Sequence, residues 1–347
     1  MKILALDLGK NKSVFVDYAV GGDRVFGKIN TNVQELRKLL ERRVPDRLLI
    51  EAGPAAGWVC DLAETMKVPV QVANGNDERW RWKTVKVKTD RSDALKLAQL
   101  SEMDSLPTVH VPKARMRQWR SLIEYRRALV GRRTAIKNSI RAIYERQGMN
   151  LPSAKRAWSK QRVEELKKEA SAGTPEQLWL FQVKCEVEQL ENVQHQIERA
   201  EQTLEQCAKS DGRVEQLKTA PCVGPRLSEA VVAILDDPHR FKNARQVGCY
   251  VGLTPRRWQS GQSDRSGHIS KAGNGLLRTL LVEIAWLGVR HKTWMLEVYE
   301  HVRRGSDKRK KIAIVAVARR LLVKLWAMLR DGTTWQEPAS ASALAGG

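Results

Sequence analysis

The chain has 347 residues, with 61 Lys and Arg against 39 Asp and Glu, giving a formal net charge of +22. That balance points to nucleic acid as the partner. No apolar run is long enough to span a bilayer and no signal peptide is recognisable, which argues against a membrane protein. The cysteines at 60, 185, 207, 222 and 249 form no C-x-x-C, so neither a zinc site nor a disulfide framework is expected and a reducing, cytoplasmic setting fits.

The first 75 residues read as an α/β layer. Apolar runs predict strands over 2–8, 13–19 and 24–30, a helix over about 33–43, a strand ending at Glu51, a helix over about 55–66 and a strand over 68–73. That order, β-β-β-α-β-α-β, implies a mixed sheet. Asp7 and Glu51 close two of the strands, where ligands of an open α/β sheet gather. Asp90 and Asp93 follow in Lys88-Thr-Asp-Arg-Ser-Asp93, one helical turn apart. Four converging carboxylates suit hard cations, which prefer oxygen ligands, and two such ions about 4 Å apart serve phosphoryl transfer. Taken singly, each acid reads more readily as a turn or cap residue than as a ligand.

Trp80 and Trp82 sit among Arg79, Arg81 and Lys83. That cluster suits single-stranded or RNA contacts, or an amphipathic helix packing its rings on the sheet. Residues 113–146 carry 11 cations against 2 anions, including Arg126, Arg127, Arg132 and Arg133, beside an apolar stripe at helical spacing. This segment is expected to run along a phosphate backbone. Residues 176–209 are acidic, with Val183, Leu190, Ile197 and Leu204 spaced by seven. They predict a coiled-coil arm whose partner helix lies either in the same chain or in a second copy. A turn at Pro221–Gly224 precedes the apolar run Leu227–Leu235, and the rest, to about 330, reads as helical and basic. The last residues, 332–347, are rich in Ala, Ser and Gly.

Several stretches carry a family resemblance. They are Ala5-Leu-Asp7-Leu-Gly9, Ile50-Glu-Ala52, Lys88–Ala94, the block Tyr250-Val-Gly-Leu-Thr-Pro-Arg-Arg-Trp-Gln-Ser260-Gly261, and its continuation Ile269-Ser-Lys271-Ala-Gly273-Asn274 to Arg278. Over about residues 1–330 the chain resembles DEDD-type insertion-sequence transposases, the group that includes pilin-gene invertases and bridge-RNA-guided recombinases. The carboxy-terminal block is the most specific part. The chain departs from the family at Cys222, where members often have glycine.

The resemblance implies an RNase H-like, RuvC-type catalytic domain over 1–112 whose metal ligands are Asp7, Glu51, Asp90 and Asp93, with Mg²⁺ or Mn²⁺ as cofactor. A basic helical nucleic-acid-binding segment would follow over 113–150, then a linker and coiled-coil arm over 151–212. A mainly helical transposase domain would occupy 213–331, ahead of a disordered tail over 332–347. Ser260 maps onto the family's nucleophile, which forms a serine–phosphodiester intermediate; Ser270 is the nearest rival. Lys271, Asn274 and Arg278 would position phosphates, Arg256 and Arg257 would contact the backbone, and Trp258 would stack on a base or sugar or lie in the core. Expected partners are donor and target DNA, a structured non-coding guide RNA and further copies of the chain (a dimer, and a tetramer in the synaptic complex). The expected setting is a bacterial or archaeal cytoplasm, associated with the nucleoid.

Three rival readings use the same residues. A metal-dependent nuclease or Holliday-junction resolvase would use the acids with water as nucleophile, making Ser260 dispensable. An actin-like ATPase would use Asp7-Leu-Gly9 as a phosphate loop but needs a second Asp-x-Gly loop, which the chain lacks. A nucleic-acid-packaging protein would satisfy the charge and leave the acids unexplained.

Overall fold

A computed structural model describes residues 1–75, 77, 89–152, 156–174, 176–260, 263–291 and 293–336. The chain divides into two compact units, Met1–Arg117 and Gln118–Gly347.

The first unit is built on a five-stranded sheet. Its strands are β1 (Lys2–Asp7), β2 (Lys12–Ala19), β3 (Arg24–Asn30), β4 (Arg47–Glu51) and β5 (Val70–Ala73), in the order β3-β2-β1-β4-β5. The meander pairs antiparallel, while β4 lies parallel to both β1 and β5. This is the mixed sheet the apolar runs predict.

Alternation sorts the strand side chains onto two faces. Leu4, Leu6, Leu48 and Ile50 pack with α1 (Val33–Arg43) and α2 (Ala56–Thr65) on one face. Ile3, Ala5, Leu49 and Ala73 meet Ala94, Leu97 and Ala98 of α3 (Asp90–Glu102) on the other. Asn32 caps α1 through Glu35 N, and Thr89 with Ser92 forms a capping box that fixes where α3 begins.

The second unit begins with a helical arm. In it α4 (Ala114–Arg146) packs against α5 (Lys160–Ser171) and α6 (Leu178–Lys209) through Ile136, Ile140, Ile143, Leu166, Val183, Val187 and Leu190. Leu129 meets Ile197 and Ala200 further along. Polar pairs follow the same antiparallel register: Arg126 with Glu201, Arg133 with Gln194 at 2.9 Å, and Ser139 with Glu186 at 2.7 Å. The heptad face of α6 is therefore covered by its own chain. The segment expected as a linker contributes α5, a third helix of this arm.

Among the described residues six further α-helices follow: α7 (Gly212–Lys218), α8 (Pro225–Leu235), α9 (Ala244–Val251), α10 (Gly275–Arg290), α11 (Trp294–Arg303) and α12 (Lys310–Asp331). Every residue of α8 from Leu227 to Leu235 is buried. Arg120 donates to the carbonyls of Ala233 (2.6 Å) and Ile234 (2.9 Å), satisfying the last turn of that buried helix.

One expectation fails here. The stretch after 252 is not wholly helical: β6 (Pro255–Ser260) and β7 (Ser263–Ile269) form a two-stranded antiparallel ribbon. Every residue of β6 is exposed, so no apolar alternation announces the strand.

Candidate active site and nucleic-acid interface

In the first unit, topology places the acids on one face at one sheet end. Ala5 and Leu49 lie on the α3 side, so two residues on, Asp7 and Glu51 project the same way. The direction of α3 is set at its far end. Glu102 accepts from the Tyr18 hydroxyl at 2.5 Å, and Ser101 accepts from Arg47 at 3.0 Å. Tyr18 pairs with Ile3, and Arg47 opens β4, so the carboxyl end of α3 lies over the strand starts. Its amino end, with Asp90 and Asp93, lies over the strand ends that carry Asp7 and Glu51.

Asp93 is 6% exposed on the sheet-facing stripe of α3, and Asp90 is exposed one turn before it. Gly75 lies against the Glu51 carboxylate, and a Cβ there would overlap Glu51 Oε1. All four donors are carboxylate oxygens, the chemistry hard cations take. Among the described residues no three His, Cys, Asp or Glu side chains are gathered closely enough to hold a metal ion. The fold brings the acids to one end without closing a ligand set.

The second unit presents Ser260 at the tip of the ribbon, opposite Ser263. Alternation puts Ser260, Trp258, Ser263, Arg265 and Gly267 on one face. Trp258 is 58% exposed, and a Cβ on Gly267 would come within 2.5 Å of its ring. Trp258 therefore lies over the opposite strand with one side open, and is not a core residue. On the other face Arg257 forms a bidentate pair with Asp264, one arm at 2.8 Å; it holds Asp264 below and Arg257 above their ordinary pKa ranges. Ser270 sits at the base of the ribbon, its backbone N–H bonded to Thr254 O at 2.8 Å.

Much of the remaining block is scaffold. Gly252 (φ 77°) and Gly273 (φ 71°) are both left-handed. A Cβ on Gly252 would come within 2.5 Å of the Ala272 nitrogen, and one on Gly273 would strike the Tyr250 carbonyl. Loop 271–273 is thereby pressed backbone to backbone against the end of α9. Arg278 Nη1 donates to the carbonyls of Val251 (2.9 Å), Ala272 (2.6 Å) and Gly273 (3.1 Å). Asn274 caps α10 through Leu277 N at 2.9 Å and donates to Glu124 at 3.1 Å. Arg278 and Asn274, expected as phosphate contacts, are thus engaged in fixing the ribbon's base. Lys271 is exposed with φ 55°, and Arg256 is exposed beside the Ser270 carbonyl at 3.4 Å.

The arginines of the basic segment are likewise divided between internal pairing and exposure. Arg126 pairs with Glu201, and Arg133 bonds Gln194. Arg132 is exposed, as is Arg127, which reaches Glu124 at 3.6 Å. Only part of the charge expected on a phosphate-facing surface is turned outward. Trp80 and Trp82 lie outside the described residues.

At the 221–224 turn, Cys222 holds φ 65°. That left-handed conformation is what glycine adopts without strain. Past the turn, Arg226 is ringed by Glu229 (3.1 Å), Glu201 (3.6 Å) and Glu205 (4.0 Å). Burial pushes the Glu229 carboxyl up, against the pull of Arg226.

Two family descriptions match the chain. Residues 4–146 match "Transposase" of the DEDD IS110 type, and residues 214–300 match "Transposase IS116/IS110/IS902 family". Together they span the acids, the arm's first helix and the Ser260 ribbon. The chain belongs to the IS110/IS116 family of transposases.

Individual relatives agree. The transposase for insertion sequence element IS1111A of Coxiella burnetii is 26% identical over 97% of this chain and 92% of its own length. Putative transposase y4rJ of Sinorhizobium fredii is 26% identical over 95% and 92%. A probable family 20 transposase of Pseudomonas aeruginosa is 29% identical over 72% and 74%. Among solved structures, Thermus thermophilus RuvC aligns over 31% of this chain and all of its own, at 15% identity and a TM-score of 0.24. As a member of this family the IS110-type chain is a DNA transposase, an enzyme of strand breakage and rejoining. Among the described residues no helix is long and apolar enough to cross a membrane.

Proposed function

We propose that this transposase excises and inserts its element through a phosphoserine link made by Ser260. The observation that carries the reading is the ribbon: an exposed serine at its tip, on one face with Trp258 and Arg265, held by a loop that two glycines and Arg278 lock in place. Ser260 Oγ attacks a DNA phosphorus, the P–O bond to the leaving deoxyribose breaks, and the serine proton is lost as the leaving hydroxyl gains one. Attack by a second DNA hydroxyl reverses these bonds and frees the serine, so joining needs no ATP. Arg265 and Lys271, both exposed, would neutralise phosphate charge, and Trp258 would offer its open side to a base or sugar.

Asp7, Glu51, Asp90 and Asp93 would hold Mg²⁺ or Mn²⁺. Such an ion supplies phosphate polarisation and lowers the pKa of a bound hydroxyl. The acids stand apart here, and phosphate oxygens would complete the ligand set. A structured non-coding RNA as guide is proposed to lie along the outward face of α4, at Arg127 and Arg132, with further copies of the chain joining in a dimer and a synaptic tetramer.

The test is a suicide DNA substrate that cannot rejoin. A covalent protein–DNA adduct should accumulate, and mass spectrometry should place the phosphoester on Ser260. Ser260→Ala should lose the adduct and keep DNA binding, while Ser270→Ala keeps both. Cutting by Ser260→Ala at the parent's rate, with no adduct, would make water the nucleophile and the protein a nuclease.

A further inference from the structure

Beside the ribbon's base runs a groove of about 1150 Å³. One wall is Leu253, Pro255 and Gly267–Ile269; the other is the first half of α12 with Val298 of α11. Its floor is aliphatic, from Val298, Ile312, Val315 and Val323. Ile312 stands 60% exposed there.

The rim is cationic. Lys271, Lys308, Lys311, Arg319 and Arg320 line it, and among the described residues no Asp or Glu does. The nearby acid Asp307 is bound instead to Arg303 (2.8 Å) and Lys310 (3.0 Å), neither of which lines the groove.

We propose that this groove seats single-stranded DNA flanking the scissile phosphate, with an unstacked base on the aliphatic floor and its backbone along the cationic rim. The inference rests on the reading that the ribbon acts on DNA. Two observations and one property of duplex DNA support this occupant. An apolar floor between cations matches a nucleotide, whose base is flat and weakly solvated and whose phosphate is anionic. A duplex keeps its bases stacked and offers nothing to Ile312. Gly267 lines the groove wall and also carries the Trp258 ring, so that wall adjoins the ribbon face that bears Ser260.

The experiment uses the full chain with a short oligothymidylate, an abasic strand of the same length, an oligouridylate and a duplex. Parent protein should bind oligothymidylate more tightly than the abasic strand. Ile312→Asp, at an exposed site that leaves the core untouched, should lower that affinity roughly tenfold and abolish the preference for bases. Lys308→Gln with Lys311→Gln should reduce the slope of log affinity against log salt by about 1.4. Photocrosslinking from iododeoxyuridine should label α12.

Unchanged affinity and preference in both variants would overturn the proposal. Tighter binding of oligouridylate would assign the groove to RNA and overturn it too. A change in sedimentation without a change in oligonucleotide binding would mean that a second copy sits there, and the proposal would fall in that case as well. The Ser260 adduct separates the two readings: an adduct with insensitive groove variants sinks only the groove, whereas groove crosslinks without any adduct sink the nucleophile and keep the groove.

Discussion

Trp258 covers Gly267 across the ribbon, and Ser260 lies on the same face one step further along the strand. The ring is thus both a brace for the ribbon and a large surface on the same face as the serine. Gly267→Val would push the ring away. Trapped adduct should fall at least about tenfold, the rate cost of some 1.4 kcal/mol of lost positioning. The melting temperature should stay within a few degrees, because the ribbon is exposed. A full adduct yield from this variant would free Trp258 of any part in placing the serine.

Removing one carboxylate at the sheet end should abolish recombination without loosening the fold. Asp7→Asn and Asp93→Asn each delete one proposed carboxylate ligand while keeping the side chain's size and one accepting oxygen. Strand exchange should disappear, DNA binding should persist, and the melting temperature should fall by no more than a few degrees. Chelation should reproduce the loss in the parent, and Mn²⁺ should restore it there but not in the variants.

Charge reversal along α4 should split into two kinds. Arg126→Glu faces Glu201 and sets two anions together in the arm, so its main effect should be on stability. Glu201→Arg in the same chain should restore the melting temperature. Arg127→Glu with Arg132→Glu, on the exposed side, should leave melting unchanged and weaken RNA binding with a shallower salt dependence. Equal stability losses from both sets would erase the distinction.

Glu229 should leave a mark on the pH dependence of unfolding. Its native carboxyl lies above the ordinary 4.5 because it is buried. As pH rises from that value through the raised one, the native state keeps a proton that the unfolded chain has lost, so this group makes stability fall. Glu229→Gln should flatten that slope in denaturant titrations, with the difference from parent largest above the raised value. An unchanged slope would show the carboxylate to be fully compensated by Arg226.

Cys222→Gly should stabilise the second unit by about 0.5–1 kcal/mol, since relief of a left-handed side chain exceeds the added freedom of the unfolded chain. Chemical denaturation would show it as a higher midpoint with an unchanged slope.

The centre of the sheet was legible because β1 and β4 are apolar runs that end in acids, and alternation alone then fixes which way Asp7 and Glu51 project. The ribbon was not, since Pro255–Ser260 buries nothing and leaves no hydropathy signal. The partner of α6 was equally hidden: a heptad face looks the same whichever helix covers it. The scaffold bonds of Arg278 and Asn274 were hidden for a chemical reason. A carbonyl oxygen and a phosphate oxygen recruit the same donors, and sequence does not say which acceptor is in reach.

The contact between Gly252 and Gly273 carries a genetic consequence. Each glycine abuts main-chain atoms of the other's neighbourhood, not a side chain that could be trimmed. A lesion at either should therefore lack intragenic suppressors nearby, and revertants should restore glycine itself. By contrast, damage at Gly267 meets a side chain, so shortening Trp258 should relieve the clash and restore the ribbon's packing without restoring the adduct.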